Sequence, residues 1–125
     1  MKLADIRHIM QQYGRAWERQ DSDLLLTCFT KNAIYQESPL AKPYRGHKAI
    51  KKFWDNVVKK EMYDITFTLK NIYLSHDKKV GFAEWGCKNK RKRIQYHMAG
   101  IMLLTMQGNK IAYLHEYWNT RKIIL

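Results

Sequence analysis

The segment IKKFWDNVVKKEMYDITFTL, residues 50–69, contains the change of hydrophobic period that decides the fold class. Its first half places Ile50, Trp54 and Val58 at helical spacing, opposite a face rich in lysine. After Met62 the period becomes two, because apolar residues alternate with threonine and lysine over residues 65–70. These patterns predict an amphipathic helix followed by a half-buried strand.

Towards the N-terminus the sequence predicts two more helices and a short strand. An apolar stripe recurs at intervals of four, three and four residues, which is typical of one helix face. Its members are Ile6, Met10, Tyr13 and Trp17. Residues 21–23 are suited to cap a second helix over residues 24–29, and residues 33–37 form the short strand.

Towards the C-terminus the sequence predicts three further strands, at residues 80–87, 94–106 and 110–118, with the basic residues 88–93 forming one of the turns. The strand 94–106 is apolar on both faces, so one face should pack on the helices and the other could meet a second copy of the sheet. Helices and strands do not alternate along the chain. This order excludes a doubly wound parallel sheet and predicts an α+β fold with a curved antiparallel sheet.

The composition predicts a single domain over residues 1–125. Hydrophobic residues make up 46% of the chain, which is enough to form a core. No apolar run reaches the roughly 18–20 residues that cross a bilayer, and the charged N-terminus lacks the apolar stretch of a signal peptide. Cys28 and Cys87 lack the paired spacing of zinc or redox motifs. We therefore expect a cytoplasmic protein with reduced thiols and no membrane partner.

The chain has a formal net charge of +12 at pH 7, and its densest basic run is residues 88–93. Such charge favours anionic partners, nucleic acid included. A hairpin tip is also an ordinary place for solvated charge, and the run lacks the interleaved aromatic residues of single-strand binders. The sequence therefore argues against nucleic acid as a partner and leaves open another anionic partner.

Several segments resemble the SnoaL-like and ketosteroid-isomerase-like branches of the nuclear-transport-factor-2-like superfamily. They are residues 13–21, 29–35, 45–50, 53–54, 108–111 and 116–118. The resemblance implies a cystatin-like α+β barrel, in which a cone-shaped curved antiparallel sheet wraps around the N-terminal helices and encloses an apolar cavity. It also implies a homodimer formed through the sheet. Because the superfamily includes isomerases, cyclases, dehydratases, hydrolases and non-catalytic binders, the resemblance does not fix the activity.

The isomerase branch suggests roles for two residues. It uses a tyrosine of the first helix as oxyanion donor, which Tyr13 matches, and a carboxylate after the first strand as proton shuttle, which Glu37 matches. The two could therefore form a base and donor pair, or Tyr13 could simply pack in the core with its hydroxyl bonded. The second acid of that branch has no counterpart, since residues 98–102 read MAGIM.

Two carboxylates are candidates for acid/base chemistry. Proton abstraction next to a carbonyl needs a base with a near-neutral pKa, and desolvation raises the pKa of a carboxyl towards that range. Glu37 beside Tyr35 could be that base, or it could lie in solvent at the rim. Glu116 shares one strand face with Leu114 and Trp118, because alternate residues point to the same side. Alternatively, Glu116 could have no chemical role and form an ion pair with a nearby basic residue.

Aromatic and apolar side chains are expected to line the cavity, although core packing would explain them as well. The predicted ligand contacts are Trp17, Phe29, Tyr35, Trp54, Trp85, Met98, Met102, Leu114 and Trp118. His97 falls on the opposite strand face to Met98, and the five histidines do not have the spacing of metal ligands. We therefore predict no metal site.

The sequence thus predicts a SnoaL-like protein that binds a small apolar or carbonyl-containing molecule. If it is catalytic, it performs acid/base chemistry without a cofactor on a carbonyl or polycyclic substrate, as an isomerase, cyclase or dehydratase does. The alternative is a non-catalytic binding module whose basic surface holds an anionic partner. A steep loss of binding with rising salt would mark that alternative.

Overall fold

The computed structural model of the protein describes all residues from 1 to 125. Its elements follow in the order α1 Leu3–Arg19, α2 Ser22–Thr27, β1 Phe29–Gln36, β2 Tyr44–Arg45, α3 Gly46–Trp54, a π-helical turn Asp55–Lys59, β3 Tyr63–Leu74, β4 Gly81–Arg91, β5 Ile94–Gln107 and β6 Lys110–Ile124. None of the helices combines the length and the apolar character needed to span a bilayer. The order of the elements confirms the predicted α+β class.

The six strands form one curved, unclosed sheet in the order β2-β1-β6-β5-β4-β3. Strands β3 to β6 form an antiparallel meander, as expected, whereas β1 runs parallel to β6 and makes the sheet mixed. The pairing of β3 with β4 shifts between Leu69 and Ile72, and such bulges bend a strand and increase its twist. The predicted cone is confirmed, with the helices on its inner side.

Helix α1 lies against the inner face of the sheet. Its predicted stripe is buried, and Ile6, Met10 and Tyr13 are each at most 1% exposed. A Cβ atom at Gly14 would lie 2.6 Å from Cδ1 of Phe67, so a glycine at this position permits the close approach of α1 to β3. Burial of this apolar stripe under the sheet contributes favourably to folding.

The second helix ends earlier than predicted, and the first strand begins earlier. Asp21 caps α2 by accepting the backbone N–H of Leu24, and the helix ends at Thr27 instead of continuing to Phe29. The carbonyl of Cys28 then accepts the N–H of Ile111, at 2.8 Å. This long-range bond to β6 pulls residues after Cys28 into the sheet, and local patterns do not report it.

The end of α1 is fastened to the segment that follows α3. Gln20 closes α1 in a left-handed conformation with φ of 52°. Its side-chain amide donates to the carbonyl of Val58 at 2.8 Å and to that of Met62 at 2.6 Å. The π-helical turn Asp55–Lys59 therefore has one of its carbonyls held by a side chain from another helix, and Val58 and Met62 face the interior.

The basic run 88–93 is not the turn that the sequence predicted. Strand β4 continues to Arg91, and the turn consists of residues 92–93 alone. The reason is continued pairing with β5, in which Asn89 faces Tyr96 and Arg91 faces Ile94. Along β4, Asn89 is completely buried and Lys88 is exposed, so this charged run has an inner and an outer side.

Candidate functional site

The inner face of the sheet carries one buried carboxyl group, that of Glu116 on β6, which is 3% exposed. The hydroxyl of Tyr13 on α1 donates to its Oε1 at 2.8 Å. The hydroxyl of Tyr35 on β1 donates to the same oxygen at 2.5 Å. No protein group donates to Oε2. The two phenols thus fix the carboxyl through one oxygen and leave the other without a protein donor.

Three elements bring this cluster together. In the parallel pairing of β1 with β6, Tyr35 stands opposite Leu114, so both point inwards. Period two then places Glu116 on the same inner face. Tyr13 belongs to the buried stripe of α1, and this stripe packs under the sheet. The site therefore depends on the pairing of the first and last long strands around α1.

Burial sets the proton equilibrium of the cluster. Desolvation raises the pKa of Glu116 to about 7, while the hydrogen bonds from Tyr35 and Tyr13 act in the opposite direction. Burial and the charge of Glu116 together raise the pKa of Tyr13 and Tyr35 well above their usual range. At neutral pH both phenols keep their protons, whereas the carboxyl exists in both protonation states. A group of this kind can both accept and donate a proton.

Glu116 borders a cavity of about 250 Å³ between the sheet and the segment that follows α3. We call this space the inner cavity. Its lining is Trp17, Tyr35, Glu37, Phe53, Val57, Val58, Glu61, Met62, Arg91, Met98, Glu116 and Trp118. Most of this lining is apolar, and its charged members besides Glu116 are two other glutamates and one arginine.

Glu37 lies in the lining of the inner cavity but does not pair with Tyr13. The structure differs here from the predicted base and donor pair, because the Tyr13 hydroxyl is directed to Glu116. Glu37 follows the end of β1 and is half-buried, and its backbone carbonyl accepts the indole N–H of Trp118 at 2.5 Å. Burial raises the pKa of the Glu37 carboxyl, and the nearby positive charge of Arg91 partly opposes that shift.

The predicted ligand contacts divide into two groups. Trp17, Tyr35, Met98 and Trp118 line the inner cavity. The others do not line it and lie in the core instead: Phe29, Trp54, Trp85, Met102 and Leu114. The reason is that other side chains fill the space beneath them; the ring of Trp85, for example, stacks on that of Phe67 with centroids 6.0 Å apart.

Sequence reasoning missed several residues of the cavity. The apolar ones, Phe53, Val57, Val58 and Met62, were placed on a helix face or at its end, and nothing in their spacing distinguishes cavity from core. Arg91 was missed because residues 88–93 were interpreted as a turn. The signal that could have found it is the alternation of β4, in which Cys87, Asn89 and Arg91 share one face.

His97 lies on the outer face of the sheet, opposite in direction to Met98, because successive strand residues alternate. No group of three or more histidine, cysteine, aspartate or glutamate side chains is placed to hold a metal ion. Cys28 and Cys87 are buried and unpaired. The polar groups in the lining of the inner cavity are carboxyl, phenol, indole and guanidinium groups.

Solved structures with the same fold cover nearly the whole chain. RV0760c from Mycobacterium tuberculosis overlays with a TM-score of 0.84 at 12% identity, covering 98% of this chain and 99% of that one. Delta 5-3-ketosteroid isomerase from Mycobacterium sp. gives 0.80 at 14% identity, with 95% and 98% covered. SalBIII, an epoxide hydrolase/cyclase-like enzyme of pyran ring formation in salinomycin, gives 0.77 at 17% identity, with 90% and 89% covered.

The family follows from the sequence itself. A search among curated proteins finds no match to the chain. The family model described as a SnoaL-like domain matches residues 10–114, which run from the middle of α1 to Leu114 on β6. This match shows that the chain belongs to the SnoaL-like family.

Proposed function

We propose that the protein binds a small apolar, carbonyl-containing molecule in the inner cavity and moves a proton on it with Glu116, without a cofactor. The reaction is of the isomerase, cyclase or dehydratase type. One observation carries the proposal: a buried carboxyl with a pKa of about 7 borders a cavity and is held through one oxygen by two tyrosines.

In the ionised form, Oε2 of Glu116 accepts a proton from the carbon next to the substrate carbonyl. Negative charge then leaves Glu116 and develops on the carbonyl oxygen. A phenol hydrogen that was bonded to the carboxylate can follow that charge, so Tyr35, which lines the cavity, becomes the donor to the oxyanion, while Tyr13 continues to hold Glu116. The protonated Glu116 finally returns its proton to a second carbon, which completes an isomerisation.

Glu37 has a secondary place in this proposal. It is more exposed than Glu116, none of its carboxylate oxygens takes part in a hydrogen bond, and the positive charge of Arg91 favours its ionised form. Its negative charge in turn contributes to the raised pKa of Glu116. Glu37 therefore adjusts the proton affinity of Glu116, whereas Glu116 moves the proton.

The neighbouring structures support a ligand of this kind. They include a ketosteroid isomerase and an epoxide hydrolase/cyclase-like enzyme. RV0760c has also been solved in complex with estradiol-17beta-hemisuccinate, and that structure overlays with a TM-score of 0.78 at 14% identity, with 92% and 94% of the two chains covered. A flat molecule with an oxygen function suits a cavity with apolar walls and one buried proton-transfer group.

We also propose that the protein is a cytoplasmic homodimer formed through the outer face of the sheet. Large side chains are exposed there: Ile101 by 36%, Tyr117 by 38% and Tyr73 by 49%. Apolar surface on a sheet face opposite the helices is a typical site of association. Sedimentation should give a dimer for the native protein and a monomer for Ile101→Lys. A native monomer would overturn the proposed dimer.

The proposed cytoplasmic location is supported by the two cysteines, which are free and buried and therefore suit a reducing compartment.

The test of the proposed reaction compares Glu116→Gln with the native protein. A β,γ-unsaturated 3-ketosteroid serves as substrate, and the absorbance of the conjugated enone reports turnover. Loss of a positioned acid/base group should lower kcat by about 10²–10⁴-fold. Quenching of tryptophan fluorescence should show nearly unchanged binding, since Trp17 and Trp118 line the cavity. Glu18→Gln, the same substitution at an exposed position, is the control and should leave turnover unchanged.

Three results would overturn the proposal. Equal turnover by the native protein and Glu116→Gln would remove Glu116 from the mechanism. Binding without turnover of any β,γ-unsaturated ketone, enol ether or epoxide in a panel would mark the protein as a non-catalytic binder. Binding that is confined to polyanions and falls steeply with salt would favour the alternative that rests on the basic surface.

A further inference from the structure

Arg91 carries a charge that no acidic residue of the protein neutralises in direct contact. The two ion pairs of the structure join Lys51 to Asp55 and Lys90 to Asp64, and neither includes Arg91. Its single side-chain hydrogen bond runs from Nε to Oδ1 of Asn89 at 3.5 Å. The terminal nitrogens of this half-buried guanidinium, which are its best donors for a carboxylate, are therefore free.

The guanidinium of Arg91 is nevertheless held in place. Its Cζ atom lies 5.0 Å from the centroid of the Tyr96 ring, a cation–π contact that orients the planar group. Lys122 lies 5.7 Å from the same centroid. Tyr96 stands opposite Asn89 in the pairing of β4 with β5. A fixed cation with unused donors is the arrangement that recognises an anion.

A second hollow, of about 580 Å³, adjoins the inner cavity. We call it the vestibule, and its lining is Lys60, Glu61, Arg91, Lys92, Ile94 and Tyr96. Glu61 and Arg91 also belong to the lining of the inner cavity, so the two spaces meet at these residues. Three of the six lining residues of the vestibule are cationic and one is anionic.

The size of the inner cavity shows why the two spaces belong together. Pockets for drug-sized ligands occupy roughly 300–1,000 Å³, whereas the inner cavity alone measures about 250 Å³. A molecule that reaches Glu116 and exceeds this volume needs further space, and the vestibule beyond Arg91 offers it. An outer end placed there meets Lys60, Arg91 and Lys92.

We propose that the vestibule is an anion subsite and that the ligand is an elongated, mostly apolar molecule with a carboxylate or similar anion at the end remote from Glu116. The inference rests on the proposed function, because it takes the inner cavity as the place of the ligand. It adds the substrate class: an acid in which an apolar body separates the reacting carbonyl from the anionic group.

The experiment measures binding alone, with two fluorescent molecules that share one flat body. 1-Pyrenebutyric acid carries the anion, and its methyl ester does not. The native protein should bind the acid at least about tenfold more tightly than the ester, since hydrogen bonds to charged groups contribute more than neutral ones. Arg91→Gln should abolish most of this preference and leave the affinity for the ester within twofold.

Matched variants separate the subsite from general electrostatics and from folding. Lys88→Gln removes the same charge from the exposed side of β4 and should keep the preference for the acid. Arg91→Lys retains the positive charge and should keep part of the preference for the acid. Circular dichroism and thermal unfolding confirm that each variant is folded. Equal affinity of the native protein for acid and ester, failure to bind either, or an equal effect of Lys88→Gln would overturn the inference.

The outcome is independent of the proposed reaction. Glu116→Gln should still prefer the acid to the ester, because the carboxyl lies at the other end of the ligand. Loss of turnover in Glu116→Gln together with no acid preference in the native protein would reject the anion subsite alone. A clear acid preference with unchanged turnover in Glu116→Gln would reject the proton-transfer proposal alone.

Discussion

The inner cavity has a carboxyl group at each of its two ends, and the two carboxyl groups have different polar neighbours. At the inner end, Glu116 is almost completely buried and is met by two neutral donors, Tyr13 and Tyr35. At the outer end, Glu37 is half-buried and lies in the field of Arg91. The two phenols offset only part of the desolvation that raises the pKa of Glu116, and the charge of Arg91 offsets part of the desolvation that raises the pKa of Glu37. The same type of residue therefore meets neutral donors at one end and a cation at the other.

The largest expected effect tests which of the two carboxyls moves the proton. Glu116→Gln should reduce kcat by about 10²–10⁴-fold, whereas Glu37→Gln should reduce it by less than about tenfold, since it acts through a charge at longer range. Steady-state kinetics of both variants with one ketosteroid measures the contrast. A larger loss in Glu37→Gln would reverse the two roles.

The next effect concerns stability and follows from the buried carboxyl. The pKa of Glu116 is about 7 in the folded protein and about 4.3 in an unfolded chain, so the folded state binds this proton more tightly. The stabilisation is complete below the unfolded pKa and is lost as the pH rises towards 7. The loss should reach roughly 3 kcal/mol.

Urea unfolding at several pH values between 4 and 8 measures this dependence. Glu116→Gln lacks the titrating group and should show a flatter curve over the same range, while all other carboxyls and histidines contribute to both proteins. Parallel curves for the native protein and the variant would contradict the raised pKa of Glu116.

A smaller effect tests the two tyrosines as donors. Their hydrogen bonds favour the ionised form of Glu116, and that of Tyr35 has the larger influence. Tyr35→Phe should therefore raise the pKa of Glu116 further, and Tyr13→Phe should do so to a smaller extent. Because the ionised carboxyl begins the reaction, the rising limb of the rate against pH should move to higher pH in both variants. A limb that stays in place would show that the phenols do not act on this group.

The smallest effect concerns communication between the two ends. The charge of Glu37 raises the pKa of Glu116, and it is the weakest of the influences on that group. Glu37→Gln should therefore move the rising limb slightly to lower pH, in the direction opposite to Tyr35→Phe. Glu18→Gln is the control for the loss of one negative charge and should not move it. A shift to higher pH in Glu37→Gln would exclude repulsion between the two carboxylates.

Local patterns predicted much of the inner end. The change of period after Met62 gave the boundary between helix and strand, because the two structures bury every third or fourth and every second residue respectively. The same reasoning put Tyr13 on the buried face of α1 and Glu116 on one strand face with Leu114 and Trp118. What no local pattern contains is the bond between Tyr13 and Glu116, which lie 103 positions apart in the chain.

The outer end was harder to predict because charge and strand pairing compete there. Six consecutive residues, five of them basic, look like a solvated turn, yet pairing with β5 keeps residues 88–91 in the strand. Similarly, β6 continues past Trp118 to Ile124 because β5 is present as its partner along that length. In both places a tertiary contact overrides the local propensity.

The position of β6 has a consequence for how the protein is made. Although it comes last among the strands, it lies between β1 and β5, and it carries Glu116. On the ribosome, β1 has no permanent neighbour on that side until β6 emerges, and the contacts that close the site have high sequence separation. The sheet and the cluster of Tyr13, Tyr35 and Glu116 are therefore completed in the same event. A nascent chain that lacks β6 has neither, so burial of Glu116 marks the completion of folding.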